Sequence, residues 1–441
     1  MSSTRSVTAG SAAEARPAAQ PGRRPPLPSL TGLRFFAALL VFFFHSSLSN
    51  SPIPPNAAIN PFADHGLAGA VETLFSKSGY VGVSFFFVLS GFVLAWVAKP
   101  GERPTAFWRR RLVKIFPNHL VVFAAAMVLW AGSSVTGVGQ WLPNLFLLHT
   151  FFPQPQINLS VNPPTWSLGS ELLFYALFPL IVIPIRKIAE KRLWLWAGVM
   201  VAGMVGVQLV AQFLIPATPK SAITPISDMQ FWFGYLFPPG RVFEFALGII
   251  LARLVMTRRW PHLPISACLV LMAAGYGAAL LLPFQYGFVV ATIIPVGALI
   301  ATVAQADTEG RPTRMRGPVM QWLGEVSFGF YLVQGVTIFY LRKQLLGTHT
   351  YSWPVALAVV ALFFAASLLG GWLLHRYVEM PAMRRWSRSR RRPAPASSAP
   401  VSSAVAPAPA PAATVPAASA AAEPVQRHHG TGKEEVLADV T

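Results

Sequence analysis

The feature that most constrains this chain is a series of apolar runs, each roughly 18 to 22 residues with few or no charges, recurring from residue 31 to about residue 376. A run of that length, wound as an α-helix at about 1.5 Å per residue, covers the ~30 Å hydrocarbon core of a bilayer. Inside that core every peptide group must find its hydrogen bond within the protein, so only helices or a closed β-barrel can cross it. Barrel strands alternate apolar and polar residues, and these runs do not. The expected fold is all-α, a polytopic transmembrane helix bundle. Its spans are expected at about 31–48, 79–98, 116–134, 165–185, 193–215, 239–257, 263–282, 286–305, 320–341 and 354–376. Composition agrees, with 12% charged residues where a soluble domain carries about a quarter.

The net charge of +19 does not point to nucleic acid. A nucleic-acid reader gathers its basic residues on one soluble face. Here they fall on alternate loops: Lys99, Arg103, Arg109, Arg110, Arg111 and Lys114, then Arg186, Lys187, Lys191 and Arg192, then Arg253, Arg258 and Arg259, then Arg311, Arg314 and Arg316. The opposite loops hold only Lys77, Lys220, Arg342 and Lys343. The positive-inside rule then places both termini in the cytoplasm, which requires an even number of spans; about ten fits, in a multi-pass protein of the cell membrane. The first apolar run follows a basic leader, but no small-residue cleavage site follows it, so it reads as a retained helix. The lone Cys268 rules out an intrachain disulfide and a Cys-rich metal site, and no metal is expected.

Three regions follow. Residues 1–27 form a basic leader expected to be disordered, 28–386 the ten-helix membrane domain, and 387–441 an Ala/Pro/Arg-rich cytoplasmic tail with too few apolar residues to fold. Between the third and fourth spans, residues 135–163 carry no charge, and Trp141 to Phe152 read as a short helix lying at the interface.

Ionisable residues within the spans are costly and mark function by default. Arg34 and His45 lie eleven positions apart on the first helix. That separation is about 1100° of rotation, three turns plus roughly 20°, and about 16 Å of rise. Both side chains therefore leave one face, Arg34 near the cytoplasmic surface and His45 deeper. Alone, Arg34 reads as snorkelling to lipid phosphates; the aligned pair reads as a functional track. Glu171 stands about one turn inside the outer end of the fourth span, beside Trp166, Ser167 and Ser170. Arg241 and Glu244, three apart, can pair on one helix face, most simply as a helix–helix clamp. Glu325, Ser327 and Gln334 add polar groups to the ninth span, where Gly324 and Gly329 permit close packing.

In this order these segments resemble the membrane acyltransferase-3 family, which includes O-antigen, Nod-factor and macrolide acyltransferases. The resemblance covers about residues 28 to 386. It rests on LPSLTGLRFFAALLVFFFH with its Arg-x10-His spacing, GYVGVSFFFVLSGFVLA, the basic FWRRRLVKIFPNHLV, WSLGSELLFY, RVFEFALGIILA, GEVSFGFYLVQG and VEMPAMRRW. Three departures matter. Lys114 stands where the family often has a second Arg, which keeps a phosphate contact but loses bidentate geometry. Gln334 replaces a frequent His and cannot shuttle a proton. The tail is too short for the soluble esterase-like domain of many members, so any chemistry is expected within the helices.

The resemblance implies transfer of an acyl group from acyl-CoA, as co-substrate, to a hydroxyl of a sugar-containing or macrolide-type acceptor, with no bound cofactor. His45 is then expected as general base. Arg34 suits CoA phosphates or a developing oxyanion, and Glu171 would orient the acceptor or His45 from the outer half. Arg110, Arg111 and Lys114 suit CoA phosphates, although topology and anionic lipids explain their charge equally well. Trp166, Ser170, Arg241 and Glu244 are expected around the substrate. The competing class is a transporter or flippase of a glycosylated or lipid-linked molecule; the absence of a convincing internal repeat counts against it.

Overall fold

A computed structural model describes residues 24–53, 56–99, 101–131 and 137–387. All but a few residues of the expected leader and tail lie outside the described residues. Within the described residues the chain is helical, with two isolated bridges, Phe62 to Tyr351 and Lys220 to Ser227.

The helices are α1 (Pro28–Ser46), α2 (His65–Phe75), α3 (Ser78–Val97), α4 (Pro104–Ala131), α5 (Val138–Leu145), α6 (Pro155–Asn158), α7 (Trp166–Lys187) and α8 (Leu193–Phe213). They continue as α9 (Asp228–Phe231), α10 (Pro238–Met256), α11 (Ile265–Leu281), α12 (Ile293–Thr308), α13 (Pro318–Val336), α14 (Arg342–Leu346), α15 (Trp353–Leu374) and α16 (Met380–Trp386). Among the described residues six segments are long and apolar enough to cross a membrane: α1, α2 with α3, α4, α7, α8 extended to Glu190, and α15 through α16. This is a multi-pass membrane protein. The apolar helices α11 and α12 are shorter. A helix also occupies the expected runs at 239–257 and 320–341, namely α10 and α13.

Two boundaries depart from expectation for a physical reason. The basic segment Arg109 to Lys114 is not a loop but lies within the first three turns of α4, which opens at Pro104. Long basic side chains are good helix formers, and Phe107 and Ile115 bury one face of these turns. The eighth helix starts late, at Ile293, because a 3-10 turn at Phe284–Gly287 takes up the residues before it.

Glycines set the closest crossings. A Cβ on Gly91 of α3 would stand 1.9 Å from Phe245 O of α10, and one on Gly248 of α10 would stand 2.0 Å from Val88 O of α3. On α13, a Cβ on Gly324 would meet Thr31 O of α1 at 2.0 Å. Small residues let backbones touch where no larger side chain fits. The start of α1 is fixed from outside itself: Asp307 of α12 accepts hydrogen bonds from Ser29 N at 2.9 Å and Ser29 Oγ at 2.6 Å. Asp307 is in turn paired with Arg316 Nε at 2.8 Å. A long-range carboxylate thus does the work of a missing local N-cap.

Three helices open into π-helical segments of five residues, Trp232–Leu236, Thr337–Leu341 and His375–Glu379. A π turn is wider than an α turn and carries an extra residue.

The expected interface helix at Trp141–Phe152 is corrected. The helix there, α5, ends at Leu145, and Leu147 has a left-handed φ of 58°. The chain then folds inward, burying Asn144, His149, Thr150, Asn158, Asn162 and Thr165. Their polar atoms bond the connecting backbone: Asn144 Nδ2 donates to Ser160 O at 2.7 Å, and Asn162 Nδ2 to Leu332 O of α13 at 3.1 Å. Burial, with His119 nearby, pushes the His149 imidazole down to about 3. The segment thus turns its polar side chains into the protein and leaves Val138, Leu142, Phe146, Leu148, Phe151 and Phe152 exposed.

Candidate active site

The sequence-predicted residues divide between two compartments. The first lies at the end of the bundle where α1 finishes. It is a cavity of about 670 Å³, its open side included, lined among others by His45, Tyr80, Trp166, Phe231, Tyr235 and Tyr331. No Asp, Glu, Lys or Arg lines it.

His45 occupies the last turn of α1. Its ring stands 5.3 Å from Phe44 and 5.3 Å from Phe339 of a π segment. Its Nδ1 is buried without a hydrogen-bond partner, and so are both amide atoms of Gln334 beside it. An imidazole with a nitrogen uncommitted on a cavity wall can take a proton from a hydroxyl brought there.

Trp166 lines the same cavity, 4.7 Å from Tyr235, which is itself 4.7 Å from Tyr80. Tyr331 supplies a polar spot on this aromatic wall: its hydroxyl lies 2.8 Å from Ser167 Oγ and donates to Pro164 O at 3.0 Å. Ser170 is fully buried with an unpartnered Oγ and does not line the cavity.

The second compartment gathers charge. Arg34, Arg111 and Lys114 all lie within Coulombic reach of Glu171, whose Oε1 accepts from Tyr175 OH at 2.9 Å. Glu171 therefore does not approach His45 from the outer side as expected; it neither lines the His45 cavity nor stands beside the imidazole. Lys114 is paired with Glu379 of a π segment, whose Oε2 also accepts from Asn118 Nδ2 at 3.1 Å. That pairing takes Lys114's charge up inside the protein. Arg111 lies over the rings of Phe107 and Tyr175, 5.6 Å from each centroid, with a buried Nε lacking a partner. Among the described residues no carboxylate lies within ion-pair distance of Arg34. Arg110 is separate, because consecutive helical positions point about 100° apart; it pairs with Glu102 at the start of α4.

Arg241 and Glu244 form an ion pair within α10, Nε to Oε2 at 2.8 Å, both fully buried. The pair does not line the cavity. The Arg241 guanidinium stands against Tyr235, Phe87 and Trp166 at 4.6, 5.2 and 5.9 Å. It stiffens two rings of the cavity wall from behind, through cation–π contact.

Sequence reasoning passed over Tyr80, Tyr235, Tyr331, Phe339 and Glu379. Three of these, Tyr235, Phe339 and Glu379, sit on the three π segments. Glu379, Tyr80 and Tyr331 lay inside the segments VEMPAMRRW, GYVGVSFFFVLSGFVLA and GEVSFGFYLVQG, whereas Tyr235 and Phe339 lay in none of the noted segments.

The model of the acyltransferase domain of the acyltransferase-3 family matches residues 27–389. Acyltransferase MdmB of Streptomyces mycarofaciens is 38% identical over 378 residues, covering 82% of this chain and 93% of that protein. Peptidoglycan O-acetyltransferase OatA of Listeria monocytogenes is 24% identical, covering 80% of this chain and 55% of its own length. Exopolysaccharide production protein ExoZ of Rhizobium meliloti is 26% identical, covering 71% and 92% respectively. No solved structure gives a significant match. With most of its length covered by the family model and by a relative at that identity, the chain belongs to the membrane acyltransferase-3 family.

Proposed function

We propose that this protein is an acyl-CoA-dependent O-acyltransferase with ten spans and both termini cytoplasmic, acting on a hydroxyl of a macrolide-type or sugar-bearing acceptor. The observation that carries the reading is the division of labour along α1. Arg34 stands among cations at one end, and about 16 Å of helix rise away His45 faces a charge-free aromatic cavity.

Arg34 and Arg111, neither paired with a carboxylate, bind the CoA phosphates as charge-assisted donors. Glu171 keeps the two cations oriented. The thioester-bearing arm then runs along the bundle towards His45. The acceptor enters the cavity and lays an apolar face on Trp166, Tyr235 and Tyr80, contacts that suit ring systems. His45 accepts the hydroxyl proton as the oxygen attacks the thioester carbonyl. The new C–O bond forms, the C–S bond breaks, and the CoA thiolate leaves and is reprotonated. No bound metal or cofactor is invoked. Relatives named for peptidoglycan and exopolysaccharide support a hydroxylated acceptor, and the absence of charged lining favours an uncharged ring compound over a phosphate-linked one.

The test uses purified protein in nanodiscs, labelled acetyl-CoA, and separate macrolide and oligosaccharide acceptors. Label in the acceptor with release of free CoA is the expected result. Movement of unmodified acceptor across proteoliposomes without label transfer would replace this reading with a transporter.

A further inference from the structure

A second cleft, of about 410 Å³, lies at the same end of the bundle as His45 but on the far side of Phe339. It is lined by Arg342, Lys343, Ser51, Thr348 and Phe339 among others, and by no acidic residue. This is the end opposite the basic loops, where membrane proteins carry few cations. Arg342 is nevertheless buried, 4% exposed. Its guanidinium touches only carbonyls, and at long distances: Ala58 O and Gly347 O at 3.3 and 3.2 Å from Nη1, and His349 O at 3.3 Å from Nη2. Its Nε has no partner. Among the described residues no carboxylate forms an ion pair with Arg342 or Lys343.

A buried guanidinium loses its hydration, and neutral carbonyls at the edge of bonding range return only part of it. The planar fork keeps an edge available, and a second cation stands next to it in the same cleft. That combination matches an oxyanion with several acceptor atoms. We propose that the Arg342–Lys343 cleft binds an oxyanion, namely a phosphate carried by an anionic lipid headgroup or free in solution. The three carbonyls also make Arg342 a clamp between residue 58 and the turn at 347–349. A clamp alone has no use for the Lys343 ammonium, which makes no hydrogen bond or ion pair among the described residues, or for an open cleft.

Detergent-purified full-length protein is heated with phosphatidylglycerol, with phosphatidylcholine, or with inorganic phosphate, and unfolding is followed by tryptophan fluorescence. Phosphatidylglycerol is expected to raise Tm by several degrees more than phosphatidylcholine. That excess should be at least halved in Lys343→Gln and absent in Arg342→Gln. An equal rise with inorganic phosphate identifies a free anion as sufficient, and a rise with phosphatidylglycerol alone identifies the lipid. No excess from either anion, or the same excess in Lys343→Gln as in wild type, overturns the proposal. Should Arg342→Gln fail to fold, Lys343→Gln decides alone, since its exposed side chain holds nothing in place.

Discussion

The two ends of the α1 track are built on opposite electrostatic principles. Around His45 the wall is aromatic, uncharged and open, and the polar atoms that matter, His45 Nδ1 and the Gln334 amide, are left without partners. Around Arg34 the charges crowd together, and Lys114 is answered from within by Glu379, as Arg110, pointing elsewhere, is by Glu102. The contrast teaches that a basic residue near a phosphate-binding mouth is a ligand candidate only if the protein has not already neutralised it. By that criterion Arg34 and Arg111 stand out, and Lys114 and Arg110 do not.

The comparison can be broken most sharply at His45. His45→Ala should lower turnover by ~10²–10⁴-fold, the range for loss of a general base, with the KM for acyl-CoA unchanged in membrane assays with labelled donor. Wild-type turnover in a folded variant removes the base assignment. The next largest effect is on stability. Lys114→Met leaves the buried Glu379 without its lysine, with Asn118 and His375 as its remaining partners, a loss of about 3 kcal/mol, whereas Lys114→Met with Glu379→Gln should recover much of it in thermal unfolding. If Lys114→Met instead raises the KM for acyl-CoA without loss of stability, Lys114 is a ligand after all.

Arg111→Ala should raise the KM for acyl-CoA about 10- to 100-fold, the equivalent of a charge-assisted contact of about 1.5–3 kcal/mol, and leave turnover at saturation nearly intact. Steady-state kinetics across a donor series reads this directly. Smallest is Tyr331→Phe, which removes one polar spot on the aromatic wall. A rise of about five-fold in acceptor KM, worth about 1 kcal/mol, is expected, with no change in donor KM. An effect on the donor alone would put Tyr331 in the wrong compartment.

Much of this was legible before any coordinates. Helical hydropathy runs announced the bundle, because a bilayer tolerates few alternatives. The Arg34–His45 spacing announced a shared face, because an α-helix has a fixed pitch. What stayed hidden depended on partners distant in sequence. That Lys114 is neutralised follows from Glu379, 265 residues later, and no local pattern pairs them. Glu171 read as an outer residue because its distance was counted from the start of α7; its neighbours on α1 and α4 place it with the cations. The extent of the helix at Trp141–Phe152 was misread because nothing local marks the left-handed turn at Leu147 that ends it. The interior hydrogen bonds of the chain beyond it exist only once α13 is alongside.

The π segments have a consequence for how such a chain can change over generations. Two of them, Thr337–Leu341 and His375–Glu379, are in effect one-residue insertions that a helix has absorbed without breaking, while Trp232–Leu236 closes its helix at the extended Phe237. Excising one residue from Trp232–Leu236, Thr337–Leu341 or His375–Glu379 would restore ordinary pitch and swing everything after it by about 100°. Tyr235, Phe339 or Glu379 would then leave its contact. These three windows of five residues each are expected to tolerate substitution better than deletion. Relatives that have lost a residue in one of these windows should be looked for among those with altered substrates.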